Sequence, residues 1–368
     1  MRIGVPREIK DNEYRVGLTP ASVAELVSNG HRVLVEQGAG VGSGLPDDAY
    51  AKAGAQLCHG PEDIFASCEL IVKVKEPQPG ETTLLRPGQM LFTYLHLAPD
   101  PALTRALMES GATCIAYETV TAPTGGLPLL TPMSEVAGRL AAQVGAHYLE
   151  REAGGRGVLL GGVPGVSPAD VLVLGGGVAG ANAARVALGM GATVTVADRS
   201  LETLRRLSAL MPGLRTVFST RAALQALAPR TDLLIGTVLV PGAATPKLVT
   251  REMVASMKQG SVIVDISADQ GGCCETTRPT SHSHPTYVVD GVTHYCVTNM
   301  PGAVPRTSTF ALNNATLPFV LALADKGWRQ AMQDDPHLRN GLNVHEGKIA
   351  CAPVALAQGL AFVAPERL

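Results

Sequence analysis

Val171 to Leu174 form a short apolar run that meets Gly175, Gly177 and Gly180, three glycines in G-x-G-x-x-G spacing. An alanine-rich stretch from Val178 to Leu188 follows, then a second apolar run, Thr193 to Ala197, ending in Asp198. Strand, glycine turn, helix and strand, with an acid roughly 20 residues beyond the turn, is the context a dinucleotide fingerprint requires. Gly175 permits a tight turn. Gly177 removes a side chain where backbone meets pyrophosphate, and Gly180 lets helix and strand approach. The helix N-terminus offers unpaired N–H groups and positive dipole to phosphate. Asp198 can accept hydrogen bonds from ribose hydroxyls and repels a 2′-phosphate, so the expected cofactor is NAD rather than NADP. The adjacent Arg199 softens that discrimination.

The chain has 368 residues, enough for two domains, and its 46% hydrophobic content fits buried cores rather than disorder. A formal net charge of -2 offers no basic surplus for nucleic acid or an anionic membrane surface. The first residues lack the apolar run of a signal peptide. The most apolar region, 158–196, is broken by glycines, prolines, Asp170 and Arg185, so no membrane span is expected. Seven cysteines, an odd number without a C-x-x-C pair, fit a reduced cytoplasmic compartment. Adjacent Cys273 and Cys274 read as ordinary buried or loop thiols.

Apolar strand-like runs alternate with helical segments. Strands are expected at 2–5, 32–36, 70–74 and 90–95, then at 171–174, 193–197, 233–235 and 262–264. Thr19-Pro20 opens the first helix as N-cap and first helical residue, and Gly30 ends it. Long helices are expected at 135–153 and 308–326. The fold class is α/β: two Rossmann-like domains with parallel sheets flanked by helices, linked by the two long helices around a cleft. Residues 1–133 and 306–368 are expected to form a discontinuous substrate domain, and 134–305 an NAD-binding domain.

Polar residues punctuate the carboxyl ends of the strands, where ligands bind in α/β sheets. Lys75 follows one strand, His96 another, and Asp265 and Asp269 a third; Arg15 lies in the loop after the first. Hydride transfer to or from an amino or oxo acid needs a cation for the carboxylate, a group polarising C=O or C=N, and a proton carrier near neutrality. Each residue also has a plainer reading. Arg15 and Lys75 are equally read as solvated charges, His96 as a hydrogen-bonded structural histidine, Asp265 as an acceptor of loop N–H groups, and Asp269 as a turn residue.

Ordered matches along nearly the whole chain narrow these choices. They include Gly4-Val5-Pro6-Arg7-Glu8, Glu13-Tyr14-Arg15-Val16, Val74-Lys75-Glu76-Pro77, Thr93-Tyr94-Leu95-His96 and Thr131-Pro132-Met133-Ser134-Glu135. Further along stand Val240-Pro241-Gly242, Val264-Asp265-Ile266, Asp269-Gln270-Gly271-Gly272, Asn299-Met300-Pro301 and Ala311-Leu312-Asn313-Asn314-Ala315-Thr316. In these the chain resembles the bacterial alanine dehydrogenases, a family that includes the transhydrogenase alpha component. The resemblance implies reversible, NAD-dependent deamination of L-alanine to pyruvate and ammonia, by a cytoplasmic homohexamer.

By that resemblance Arg15 clamps the substrate carboxylate and Lys75 bonds its carbonyl. His96 and Asp269 are the acid/base pair, and Tyr94 and Met133 line the site. Cofactor contacts carry over to Ser134, Gly175, Gly177, Val178, Gly180, Asp198 and Ser219, with Thr220 as alternative to the last. They continue with Val238, Leu239, Ile266, Ser267, Ala268, Asp269, Arg278, Val297, Asn299 and Met300.

The chain also departs from relatives. Ala322 and Lys326 stand where some members bind magnesium through Glu and His, so no such ion is expected. Thr203 replaces a basic cofactor contact, and Cys274 stands where an aromatic or aliphatic residue is usual. His282 and His284 lack partners at metal-binding spacing and read as a polar loop. A transhydrogenase component needs no substrate clamp, and a non-catalytic NAD sensor needs none of Arg15, Lys75, His96 and Asp269. A dehydrogenase forming secondary amines is a further alternative.

Overall fold

The computed structural model describes residues 1–238 and 245–368, so Leu239 and Val240-Pro241-Gly242 lie outside the described residues. Its strands, in chain order, are β1 (Arg2–Val5), β2 (Arg32–Glu36), β3 (Gln56–Cys58), β4 (Leu70–Val72), β5 (Met90–Thr93) and β6 (Thr113–Ala116). Next come β7 (Asp170–Leu174), β8 (Thr193–Asp198), β9 (Arg215–Phe218), β10 (Leu233–Gly236) and β11 (Val262–Asp265). The last are β12 (Thr286–Val289), β13 (Val292–Tyr295), β14 (Leu342–His345) and β15 (Lys348–Ile349). The chain divides into two compact units, Met1–Met133 with Val304–Leu368, and Ser134–Ala303.

In the first unit the sheet order is β15-β14-β6-β5-β4-β1-β2-β3. The six strands from β6 to β3 run parallel, and β14 and β15 add an antiparallel edge. In the second unit the order is β12-β13-β11-β10-β7-β8-β9, parallel except for β12. Both sheets are therefore parallel-dominated and mixed. Their central strands are buried on both faces, and the sequence shows it: Leu70-Ile71-Val72 and Val262-Ile263-Val264 are continuous apolar runs with no exposed surface. Each unit reverses its strand order once, between β1 and β4 and between β7 and β10. Such a reversal opens a crevice at the strands' carboxyl ends, where ligands of doubly wound sheets bind.

Local signals account for the helix boundaries. The hydroxyl of Thr19 accepts from the Ser22 N–H and Pro20 opens the helix Pro20–Ser28, which closes before Gly30 at φ +83°. The first long helix runs Thr131–Tyr148, earlier at both ends than its apolar spacing indicates. It stops because Glu150 N–H turns back to His147 and Gly154 takes φ +92°. The second spans Pro305–Asp334 and breaks at Gly327, whose φ of +70° no helix accommodates. Among the described residues no helix is long and apolar enough to cross a membrane.

Strands β4 and β5 stop two residues short of their apolar runs. The cause for β4 is Glu8, whose carboxylate accepts the Val74 N–H at 2.6 Å and that of Lys75 at 3.4 Å. The same carboxylate meets the Nζ of fully buried Lys73 at 3.1 Å, and Glu81 meets it at 2.7 Å. Burial pushes the Glu8 carboxyl up and Lys73 pulls it down. One cation thus holds two buried acids at the end of β4. Lys73→Ala leaves both uncompensated, and the expected loss is about 3–5 kcal/mol. Urea unfolding at fixed protein concentration measures it. The loss should shrink as pH falls, because protonation neutralises the stranded carboxyls; a loss under about 1 kcal/mol would refute the pairing.

Candidate active site

The first unit places its polar residues on one edge of adjacent parallel strands. Arg15 follows β1, Lys75 follows β4 and His96 follows β5. Arg15 is only 2% exposed, and Glu13 takes its guanidinium as a fork, Nε donating at 2.7 Å and Nη2 at 2.6 Å. Burial pulls the guanidinium down, but the bonds and charge of Glu13 outweigh it and hold Arg15 firmly charged. Nη1 lies 3.0 Å from the sulfur of buried Met133. Lys75 is half-buried in the same field: burial first, and the charge of Arg15 second, lower its ammonium below the ordinary value.

His96 is exposed and adopts φ +50°, a left-handed conformation unusual for a residue with a Cβ. Its ring stacks on Tyr94 with centroids 5.8 Å apart. Tyr94 is itself buried, its hydroxyl donating to the Leu129 carbonyl. Arg15, Lys75, His96, Tyr94 and Met133 are thus carried by one unit, on the loops and helix start beyond its sheet edge. Two residues the sequence reading passed over belong with them. Glu13 was legible as part of a matched stretch but without a role. Glu118, which binds the backbone at His96, has no sequence signal.

In the second unit the glycine turn follows β7, and β8, β9, β10, β11 and β13 deliver the other expected residues. Gly175 takes φ +94°. A Cβ on Gly180 would lie 1.9 Å from the Gly175 carbonyl oxygen, whereas one on Gly177 would meet nothing within 4 Å. Gly180 therefore serves helix–strand packing, and Gly177 leaves the approach to the turn open. Gly138 performs the same packing service on the long helix, its Cβ position only 2.1 Å from the Ala179 carbonyl oxygen. The helix Val178–Gly189 begins with no side-chain cap, while Ser200, Thr220 and Thr250 cap the helices Leu201–Leu210, Arg221–Leu227 and Arg251–Ser256. An uncapped amide cluster beside an open glycine is the donor set a pyrophosphate fits.

Asp198 ends β8 with both oxygens in use: Oδ2 accepts the Gly176 N–H at 2.6 Å and Oδ1 the Ser200 N–H at 2.7 Å. Each carboxylate oxygen has a second lone pair, so ribose hydroxyls are not excluded. Thr203 sits behind the turn, and Arg206 donates to the Gly176 carbonyl at 3.3 Å. Ser219 follows β9. Its neighbour Thr220 caps the next helix, its hydroxyl accepting the Ala223 N–H. Val238 follows β10, packed beside Gly175.

Ile266, Ser267, Ala268 and exposed Asp269 follow β11, and Val297, Asn299 and Met300 follow β13. Arg278 stacks over the Tyr287 ring at 4.2 Å, and Ser134 lies half-buried on the helix Thr131–Tyr148. Buried Asp265 fixes the loop that carries Asp269, accepting from Ser267 N–H and Oγ, Cys273 N–H and Thr277 Oγ1. Cys273 and Cys274 lie beside it as free thiols 3.9 Å apart. His282 hydrogen-bonds the Asn299 carbonyl, and Lys326 pairs with Asp334 at 2.6 Å.

Comparison with known proteins finds matches in both halves of the chain, although the C-terminal match runs past Ala303 into residues of the first unit. The family descriptions "Alanine dehydrogenase/PNT, N-terminal domain" and "Alanine dehydrogenase/PNT, C-terminal domain" match residues 4–137 and 141–352. The alanine dehydrogenase of Halomonas elongata is 60% identical over 99% of this chain and 98% of its own. A solved L-alanine dehydrogenase superposes with a TM-score of 0.95 at 52% identity, covering 98% of this chain and 99% of its own. A transhydrogenase from Sinorhizobium meliloti gives 0.82 at 27% identity, covering 96% and 99%. Matched in both halves and alike from end to end, the chain belongs to the alanine dehydrogenase/PNT family.

Proposed function

We propose that this chain is an L-alanine dehydrogenase that uses NAD, converting L-alanine reversibly to pyruvate and ammonia. The observation that carries the reading is the strand-end group of the first unit. Two cationic side chains, Arg15 and Lys75, stand in the loops that follow the neighbouring strands β1 and β4 at the order reversal, and an imidazole stands in the loop after the next strand, β5. A transhydrogenase component has no use for such a clamp. The relatives' names, a cytoplasmic setting and a homohexamer fit the same reading by resemblance.

When bound, the nicotinamide accepts a hydride from the amino acid's α-carbon. Arg15, oriented by Glu13, holds the substrate carboxylate in place. Lys75 donates to the oxygen of pyruvate and of the tetrahedral adduct that precedes it, where negative charge develops. His96 moves protons between the adduct and solvent, and Asp269 is the second acid/base. Gly175, Gly177, Val178 and Gly180 cradle the pyrophosphate, and Asp198 holds the adenosine ribose. Ser134, Ser219, Val238, Leu239, Ile266, Ser267, Ala268, Arg278, Val297, Asn299 and Met300 complete the cofactor contacts.

The deciding assay is NADH formation from NAD and L-alanine, with the reverse reaction from pyruvate and ammonia. A protein that binds NADH yet turns over neither substrate pair would sink the assignment.

Cofactor choice rests on Asp198. The wild type should prefer NAD, and Asp198→Ala should lower the NAD-to-NADP ratio of kcat/KM by about tenfold or more, removing a charge worth at least about 1.4 kcal/mol of discrimination. A wild type preferring NADP contradicts the assignment.

Substrate affinity should depend on pH through Lys75. Its ammonium is lowered from the ordinary value of 10.5, and only the protonated form adds positive charge to the site an anionic substrate enters. Pyruvate affinity for the NADH-loaded enzyme should therefore fall as pH rises, beginning below 10.5. Fluorescence titration reads it, and Lys75→Ala should bind weakly at every pH without that fall. Affinity independent of pH through this range argues against the contact.

A further inference from the structure

We infer that Glu118 is a positioning residue for His96, holding the backbone turn that presents the imidazole. The inference rests on the reading of His96 as a proton carrier. Glu118 lies on the short turn Tyr117–Thr119 directly after β6, the strand beside β5. Its carboxylate faces the backbone at the end of β5: Oε1 accepts the His96 N–H at 2.6 Å and the Leu95 N–H at 3.1 Å, and Oε2 accepts Leu95 at 3.2 Å. Two successive amides converging on one anion form a nest, which the chain makes only when its backbone turns out of the extended conformation. His96 does so at φ +50°.

Without that anion, an exposed His with a Cβ has little reason to stay left-handed, and the extended strand conformation would swing its ring to another face. The turn bearing Glu118 is itself fixed. Tyr117 is buried, donates to the Lys73 carbonyl at 2.9 Å and packs edge-on to Phe92 and Tyr94. Rigid support behind a strained backbone is the arrangement that sets a side chain's direction rather than leaving it to rotamer sampling. Glu118 itself needs no contact with substrate; it acts through His96.

Glu118→Ala, Glu118→Gln, His96→Ala and the double variant Glu118→Ala/His96→Ala test this. Glu118→Ala should lower kcat for alanine by about 10- to 100-fold, as expected when a reacting group is displaced by about 1 Å. KM should stay within about threefold, because carboxylate binding is untouched. Glu118→Gln keeps one acceptor oxygen and should recover most of the loss. In the His96→Ala background the same truncation should cost less than about twofold, since no imidazole remains to be placed. Equal losses in both backgrounds mean a merely structural role and overturn the inference.

A crystal structure of Glu118→Ala gives a readout independent of activity. His96 should leave the left-handed region, and His96 unmoved at its present φ also overturns the inference. A His96→Ala variant with wild-type kcat instead removes the proton-carrier reading, while the crystal structure still decides whether Glu118 sets the turn.

Discussion

A parallel strand that stops in the middle of a sheet leaves amide N–H groups without ladder partners, and in this protein carboxylates take them. Glu8 binds the amides after β4, Glu118 those after β5, Asp198 that of Gly176 after β7, and Asp265 those of the loop after β11. Charged acceptors make short, strong bonds to amides and fix the direction in which the chain leaves the strand. Every expected ligand-binding loop named above that departs from one of these four strands departs from such an anchor. The sheets supply stiffness, and the carboxylates convert strand ends into aimed loops.

The same device sets the electrostatics of the first unit. Glu8 and Glu81 share Lys73, and Glu13 forks onto Arg15, so two buried cations are already answered by acids. Lys75 instead has its ammonium lowered by burial and by the charge of Arg15. The second unit is built differently around its glycine turn. Gly177 leaves the approach open, and an uncapped helix start supplies amides, with the Asp198 carboxylate bonded to the Gly176 N–H.

Some misjudged boundaries in the sequence share one cause. The strands at 70–74 and 90–95 read as longer than they are because Val74 and Leu95 are apolar and buried, yet their N–H groups are captured from the side. Apolar periodicity reports burial, and burial continues past the last ladder bond. The strands β3, β6, β9 and β12 to β15 are not legible in the same way: they are short, and polar residues such as Gln56, Arg215, Thr293 and Asn343 interrupt the apolar run that marks β4 or β11.

The sequence by itself determined the alternation of strand and helix, the dinucleotide turn at Gly175 to Gly180 with Asp198 beyond it, and the positions of Arg15, Lys75, His96 and Asp269 after apolar runs. These are local facts: a glycine spacing, a run of β-branched residues and the polar residue that follows need no distant partner to be recognised. Only the tertiary structure decided that β1, β4, β5 and β6 lie side by side, and so that Glu8 pins the backbone of Lys75 and Glu118 holds His96 left-handed. Those contacts join residues up to 67 positions apart. A carboxylate binding a backbone amide leaves no mark on the identity of the residue it binds, because every residue but proline carries that amide.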